Sequence, residues 1–296
     1  MTLLSWMLAM PLTALLPFTG DPQVVGVIEQ PQGKSEQKQA GRLLFVKVGK
    51  GWVPLNSSPF KLKGFQLPLS GWTVVLDGHS LGEISLQGLD ASTLTSEDWD
   101  FRRDKLYELR GSGPLPIRAN TSGAFAGWFG APSIRPLVIV LKPNFDDSDR
   151  WQVFSPGGGY LQRLFMPLKR VIGKSKVLHC ASSDEPAKPF DFRPTDLVLY
   201  KGYRSTSGRE LVSVGIDPRK YGCDGVMEPE WSNNWFLLDG SATKFIGREM
   251  ELVDVGDYDM DGFSEFLFWH SGYNQDGYRL YYDRFRQQAD YFWAYH

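Results

Sequence analysis

A mainly β fold, built from repeated antiparallel hairpin units with one short helix, is what the sequence predicts. Three observations carry that expectation. The chain of 296 residues is 14% aromatic, with 10 Trp, and holds 31 Gly and 19 Pro, a balance that suits many short strands and tight turns. Its apolar, β-branched residues fall in strand-length runs bounded by turn formers. Two of its segments also resemble one another as strand, polar turn, strand.

The runs are Val24 to Ile28, Leu43 to Val48, Trp72 to Leu76 and Leu137 to Leu141. Polar or Gly/Pro-rich stretches separate them, among them Pro31 to Ala40 and the long Gly111 to Ser133. One helical pattern stands out: Leu161, Leu164, Phe165, Leu168 and Val171 share a face, with Pro167 expected to kink or divide the helix. Trp72-Thr73-Val74-Val75-Leu76-Asp77-Gly78 recurs as Trp235-Phe236-Leu237-Leu238-Asp239-Gly240, and Asp-Gly flanked by apolar residues signals a hairpin turn. Asp196 to Tyr200 lies over Glu265 to Trp269 in kind, and the match continues through Gly208 over Gly277 and Leu211 over Leu280. A lone hairpin cannot bury its apolar face, so such units are expected to pair or stack.

Charge narrows the partners. With 42% hydrophobic and 22% charged residues and a formal net charge of -2, the chain is that of a folded protein without a general pull toward nucleic acid or anionic membrane. Residues 1–20 carry no charge, and their apolar stretch Leu3 to Leu16 is short for a membrane span and reads as the core of a signal peptide. The expectation is an exported, periplasmic or extracellular protein, with the folded domain over 21–296 and no membrane span in the mature chain. Cys180 and Cys223, the only cysteines, could then pair.

The strongest chemical signal is Asp257-Tyr258-Asp259-Met260-Asp261-Gly262-Phe263-Ser264-Glu265, with carboxylates at loop positions one, three, five and nine and glycine at six. Alternate side chains of a tightly wound loop converge on one centre, Gly262 permits the sharp turn, and the Phe263 carbonyl can add a ligand. Hard oxygen donors in this number suit calcium; zinc would call for His or Cys, and neither lies in the loop. An EF-hand is ruled out at its twelfth position, which is Phe268 instead of a bidentate carboxylate.

At this loop the sequence resembles the FG-GAP and VCBS-type repeats of integrin-like β-propellers, whose D-x-D-x-D-G-x-x-D loop runs straight into an apolar strand. Here Val253-Asp254-Val255-Gly256 leads in and Phe266-Leu267-Phe268-Trp269 leads out, with Glu265 where the family usually has Asp. The resemblance implies a propeller-like repeat over residues 251–285 and a degenerate copy near 185–215. It carries Asp257, Asp259, Asp261, the Phe263 carbonyl and Glu265 over as calcium ligands. In the copy Lys188, Phe190 and Phe192 replace the three aspartates and Asp196 alone keeps an acid, so one site is expected. The role implied is binding or scaffolding, toward a protein or glycan ligand.

Two other chemistries are also open to the sequence. Gly78-His79-Ser80-Leu81-Gly82 fits the G-x-S-x-G elbow of serine hydrolases, with Ser80 as nucleophile and His179 or His270 as base, although Glu83 to Gln87 alternates like a strand where a helix is required. A carboxylate pair such as Asp254 and Asp257 offers another hydrolytic site. A glycan could instead stack on Trp269, Tyr273, Tyr278, Tyr281, Tyr282, Tyr291, Phe292, Trp293 or Tyr295.

Overall fold

The structure is a computed structural model, and it describes residues 23–29, 39–56, 68–88, 106–111, 125, 131–132, 134–143, 145–172, 192–217 and 233–294. The signal peptide expected over residues 1–20, both cysteines and His179 lie outside the described residues.

The first seven strands are β1 (Val24–Glu29), β2 (Ala40–Val48), β3 (Gly51–Pro54), β4 (Trp72–Leu76), β5 (His79–Gly88), β6 (Leu106–Gly111) and β7 (Leu137–Val140). They form one antiparallel sheet in the order β1-β7-β4-β5-β6-β2-β3, and because β1 pairs with β2 as well as β7 the sheet curls round on itself. The β4–β5 hairpin turns through Asp77 and Gly78, both with positive φ (50° and 78°), the conformation that the right-handed twist of the strands favours. Strand alternation then divides the side chains. Val24, Leu43, Trp72, Val74 and Ile139 form one cluster, while Val25, Val27, Phe45, Val75 and Val138 face the other way into a second.

Next come β8 (Trp151–Phe154), a helix α1 (Gly159–Ile172), a 3-10 turn (Pro194–Asp196), β9 (Leu197–Ser205), β10 (Glu210–Ile216), β11 (Asn234–Asp239) and β12 (Ala242–Gly247). These strands make an antiparallel meander in the order β12-β11-β10-β9-β8. The last four strands, β13 (Met250–Gly256), β14 (Glu265–Gly272), β15 (Gln275–Tyr282) and β16 (Gln287–Ala294), make a second meander in sequence order. The mainly β class with antiparallel hairpins is therefore what the chain adopts, with one α-helix among the described residues. The two meanders are built of successive antiparallel hairpins, whereas the N-terminal strands curl into a barrel-like sheet.

Side-chain clusters order these parts as layers: α1, then β8–β12, then β13–β16, then the curled sheet. Leu164, Leu168 and Ile172 of α1 pack on Val212, Val214 and Phe236. The opposite face of that meander presents Trp151, Tyr203, Leu211 and Trp235 to Leu252, Phe266 and Phe268. Leu267, Trp269, Tyr278 and Leu280 point the other way, into the cluster they share with the curled sheet. Thus β14 is buried on both sides, which is why Phe266-Leu267-Phe268-Trp269 is an unbroken apolar run instead of an alternating one. Edge-to-face rings seat the central contact, with Trp151 on Phe266 at 4.9 Å and Trp235 on Phe268 at 5.5 Å between centroids, each pair worth about 0.5–1.5 kcal/mol beyond its area.

Pro167 lies inside one continuous helix and does not divide it. Leu164 before it and Leu168 and Ile172 after it all bury on the same sheet face, so packing holds both turns in line despite the missing amide donor.

Candidate metal centre

The acidic loop joins β13 to β14, two paired neighbours whose last register pair is Gly256 with Glu265, so that Glu265 is already the first residue of β14. Its entry needs glycine: a Cβ on Gly256 would sit 2.7 Å from the Phe145 ring and 2.8 Å from that of Tyr258. Met260 and Gly262 both have positive φ, 59° and 87°, and these wind the loop tightly. Each acid then accepts a backbone N–H: Gly262 donates to Asp257 Oδ2 at 3.0 Å, Asp261 to Asp259 Oδ1 at 3.1 Å, Phe263 to Asp261 Oδ1 at 2.9 Å and Tyr258 to Glu265 Oε2 at 2.8 Å.

Of the five ligands expected from sequence, the fold brings three side chains together. One carboxylate oxygen from each of Asp257, Asp259 and Glu265 lies within 4.8 Å of the others. Ligands around calcium sit about 2.3–2.6 Å from the ion, so oxygens on opposite sides of it are roughly 5 Å apart, and the trio fits that sphere. Asp259 is 7% exposed and Glu265 1%, and Asp257 Oδ1 is buried without a hydrogen-bond partner. Asp261 is exposed and stands outside the trio, spending one oxygen on the Phe263 amide. Phe263 is half-buried, with the Arg284 guanidinium 3.8 Å over its ring.

Three acids so close disfavour full ionisation. Burial, followed by the Asp259, Asp147 and Asp261 charges, pushes Asp257 up to about 6 against the pull of the Gly262 amide. Burial also drives Glu265 well above the ordinary carboxylate range, with Asp259 and Asp257 adding to it. Such a group takes up either protons or a cation.

Sequence patterns missed two neighbours. Asp147, from the segment before β8, is buried, accepts from Ser264 Oγ at 2.9 Å and is raised by its burial. Lys47, from β2 of the curled sheet, pairs with Asp259 Oδ2. Asp147 belongs to the run Asp146-Asp147-Ser148-Asp149, an acidic turn that could have been noted; Lys47 sits in an ordinary strand and left no signal. Beside the loop opens a shallow cleft of about 520 Å3, lined by hairpin tips that include Thr206, Arg209, Asp239 and Arg284.

A second polar network stands behind the loop. Asp254 is fully buried, accepts from the Asp77 amide at 2.6 Å and the Tyr258 hydroxyl at 3.0 Å, and lies 3.6 Å from Arg135. Arg135 also donates to Asp77 at 2.7 Å and to the Val253 carbonyl at 2.6 Å, tying the curled sheet to β13. Burial lifts Asp254 to about 7, with Asp77 adding to the rise and Arg135 opposing it. Closed off in this way, Asp254 cannot meet a substrate as half of a hydrolytic pair.

Ser80 lies in β5, two residues past the Asp77–Gly78 turn and opposite Val75, so it sits in a hairpin and not on a strand-to-helix elbow. His270 stacks on Phe292 at 5.0 Å on β14. Trp269, Tyr278, Tyr281, Tyr282, Tyr291 and Trp293 are buried, while Tyr273, in the β14–β15 turn, is 94% exposed. Among the described residues no helix is long and apolar enough to cross a membrane. In comparisons with known proteins, no family model, curated protein or solved structure matches this chain.

Proposed function

We propose that the Asp257–Glu265 loop holds one calcium ion through Asp257, Asp259 and Glu265, with Asp261 and the Phe263 carbonyl completing the shell directly or through water. The ion braces the turn that joins β13 to β14. The chain is then an exported binding or scaffolding protein of the FG-GAP/VCBS type, with the cleft at the hairpin tips as the surface for a protein or glycan ligand. The observation that carries this is the convergence of three carboxylate oxygens within 4.8 Å, two of the acids buried and one oxygen of the third lacking any partner.

An extracellular-type site with a Kd of ~10⁻⁴ M, in ~10⁻³ M calcium, adds on the order of 1 kcal/mol to stability. Thermal unfolding tests the proposal. Calcium is expected to raise the melting temperature of the wild type, and Asp259→Ala is expected to lower it in calcium but hardly in excess chelator. Equal losses in the two buffers would sink the proposal.

A further inference from the structure

We propose that Lys47 is the loop's internal counter-ion, and that a divalent cation enters by displacing its ammonium from Asp259. This rests on the calcium assignment above and adds to it a residue that sets the affinity of the site.

Lys47 reaches the loop from another sheet. It lies on β2, opposite Trp52 across the β2–β3 hairpin, and its Nζ contacts Asp259 Oδ2. Its side chain is 15% exposed and that of Asp259 only 2%, so the pair is largely withdrawn from water. The fold has therefore brought a positive charge from a distant segment to this carboxylate, a contact independent of the loop's own turns. A dication among Asp257, Asp259 and Glu265 would stand within a few ångströms of the ammonium, and two cations at that range in a poorly hydrated site repel far more strongly than thermal energy.

The ammonium has somewhere to go. Nζ lies 5.3 Å from the centroid of the Trp52 ring and 5.7 Å from that of Tyr282, so a small rotation exchanges the carboxylate for two aromatic faces that attract a cation. The loop would stay docked as this happens, because the Gln23 side-chain amide donates to the Asp259 carbonyl at 2.7 Å without using its carboxylate. Ion exchange thus moves one side chain and leaves the hydrogen bond from Gln23 to the loop backbone in place.

Calcium titration calorimetry on the wild type, Lys47→Met and Lys47→Arg tests this. Methionine keeps an apolar stem against Trp52 and Tyr282 and removes the charge; arginine keeps the charge. Lys47→Met is expected to bind calcium about tenfold tighter or better, the effect of removing one nearby cation, while Lys47→Arg stays within about threefold of the wild type. In NMR spectra of the wild type, the ring-shifted Lys47 CεH2 signal is expected to move as calcium is added, a readout that stands even if Lys47→Met fails to fold. Equal affinity in the wild type and Lys47→Met, weaker binding by Lys47→Met, or a Lys47 signal unmoved at saturating calcium overturns the role of Lys47 and leaves the calcium assignment intact. No binding by the wild type or by any folded variant overturns both.

Discussion

The meanders β8–β12 and β13–β16 share their strand order, with β9 and β10 standing where β14 and β15 stand, yet their first connections could hardly differ more. Between β8 and β9 the chain makes α1 and a further stretch before the 3-10 turn at Pro194; between β13 and β14 it makes eight residues of loop. The difference follows from position in the stack. The first meander has one face against β13–β16, and its other face would be bare without Leu164, Leu168 and Ile172 of the helix. The second is covered on both faces by neighbouring sheets, so its connection has nothing to cover and stays short. The short loop gathers three acids at one point, whereas the segment before β9 has Asp196, which caps the 3-10 turn by accepting from the Arg193 amide at 2.7 Å. The first connection thus supplies apolar cover in one meander and a cluster of acids in the other.

That contrast can be broken by mutation, most forcefully in the apolar layers. Phe268→Ala, between the two meanders, is expected to cost about 3–5 kcal/mol, and Leu168→Ala, under the helix, about 2–5 kcal/mol, read from urea unfolding. Both losses should be the same in calcium and in chelator. A cost well under 1 kcal/mol for Leu168→Ala would mean that the helix is not the cover of its sheet.

A smaller effect comes from Asp254. Its folded value of about 7 lies above the ordinary 3.8, so the folded state holds its proton more tightly than the unfolded chain, and this contribution to stability is lost as pH rises through that window. Asp254→Asn, which cannot ionise, should flatten the fall in stability between those pH values, measured by urea midpoints across the range. An unchanged slope would show that Asp254 is not the titrating group.

Local patterns carried the parts of the structure that depend on local chemistry. Trp72–Leu76 is a strand over the run read from sequence, because β-branched residues there end at an Asp-Gly turn. The acidic loop was legible for the same reason: its spacing and its glycine are written in consecutive residues. Curling of the first sheet was not, since it depends on β1 meeting both β2 and β7 across long intervening segments. The site's outer parts escaped likewise. Lys47 and Asp147 arrive from other layers, and Asp261, whose position in the motif promised a ligand, turns one oxygen to a backbone amide at the exposed side of the loop. Pro167 misled because helix propensity is a local quantity and the packing that overrides it is not.

Native mass spectrometry of the folded chain, after exchange into dilute calcium, addresses the metal centre most directly. One calcium ion per wild-type chain is expected, and none on Asp257→Asn, which should also melt at a higher temperature than the wild type in chelator because it relieves the charge that burial disfavours. A wild type that carries no calcium, or an Asp257→Asn chain that keeps its ion, would contradict the assignment of this loop as the metal centre.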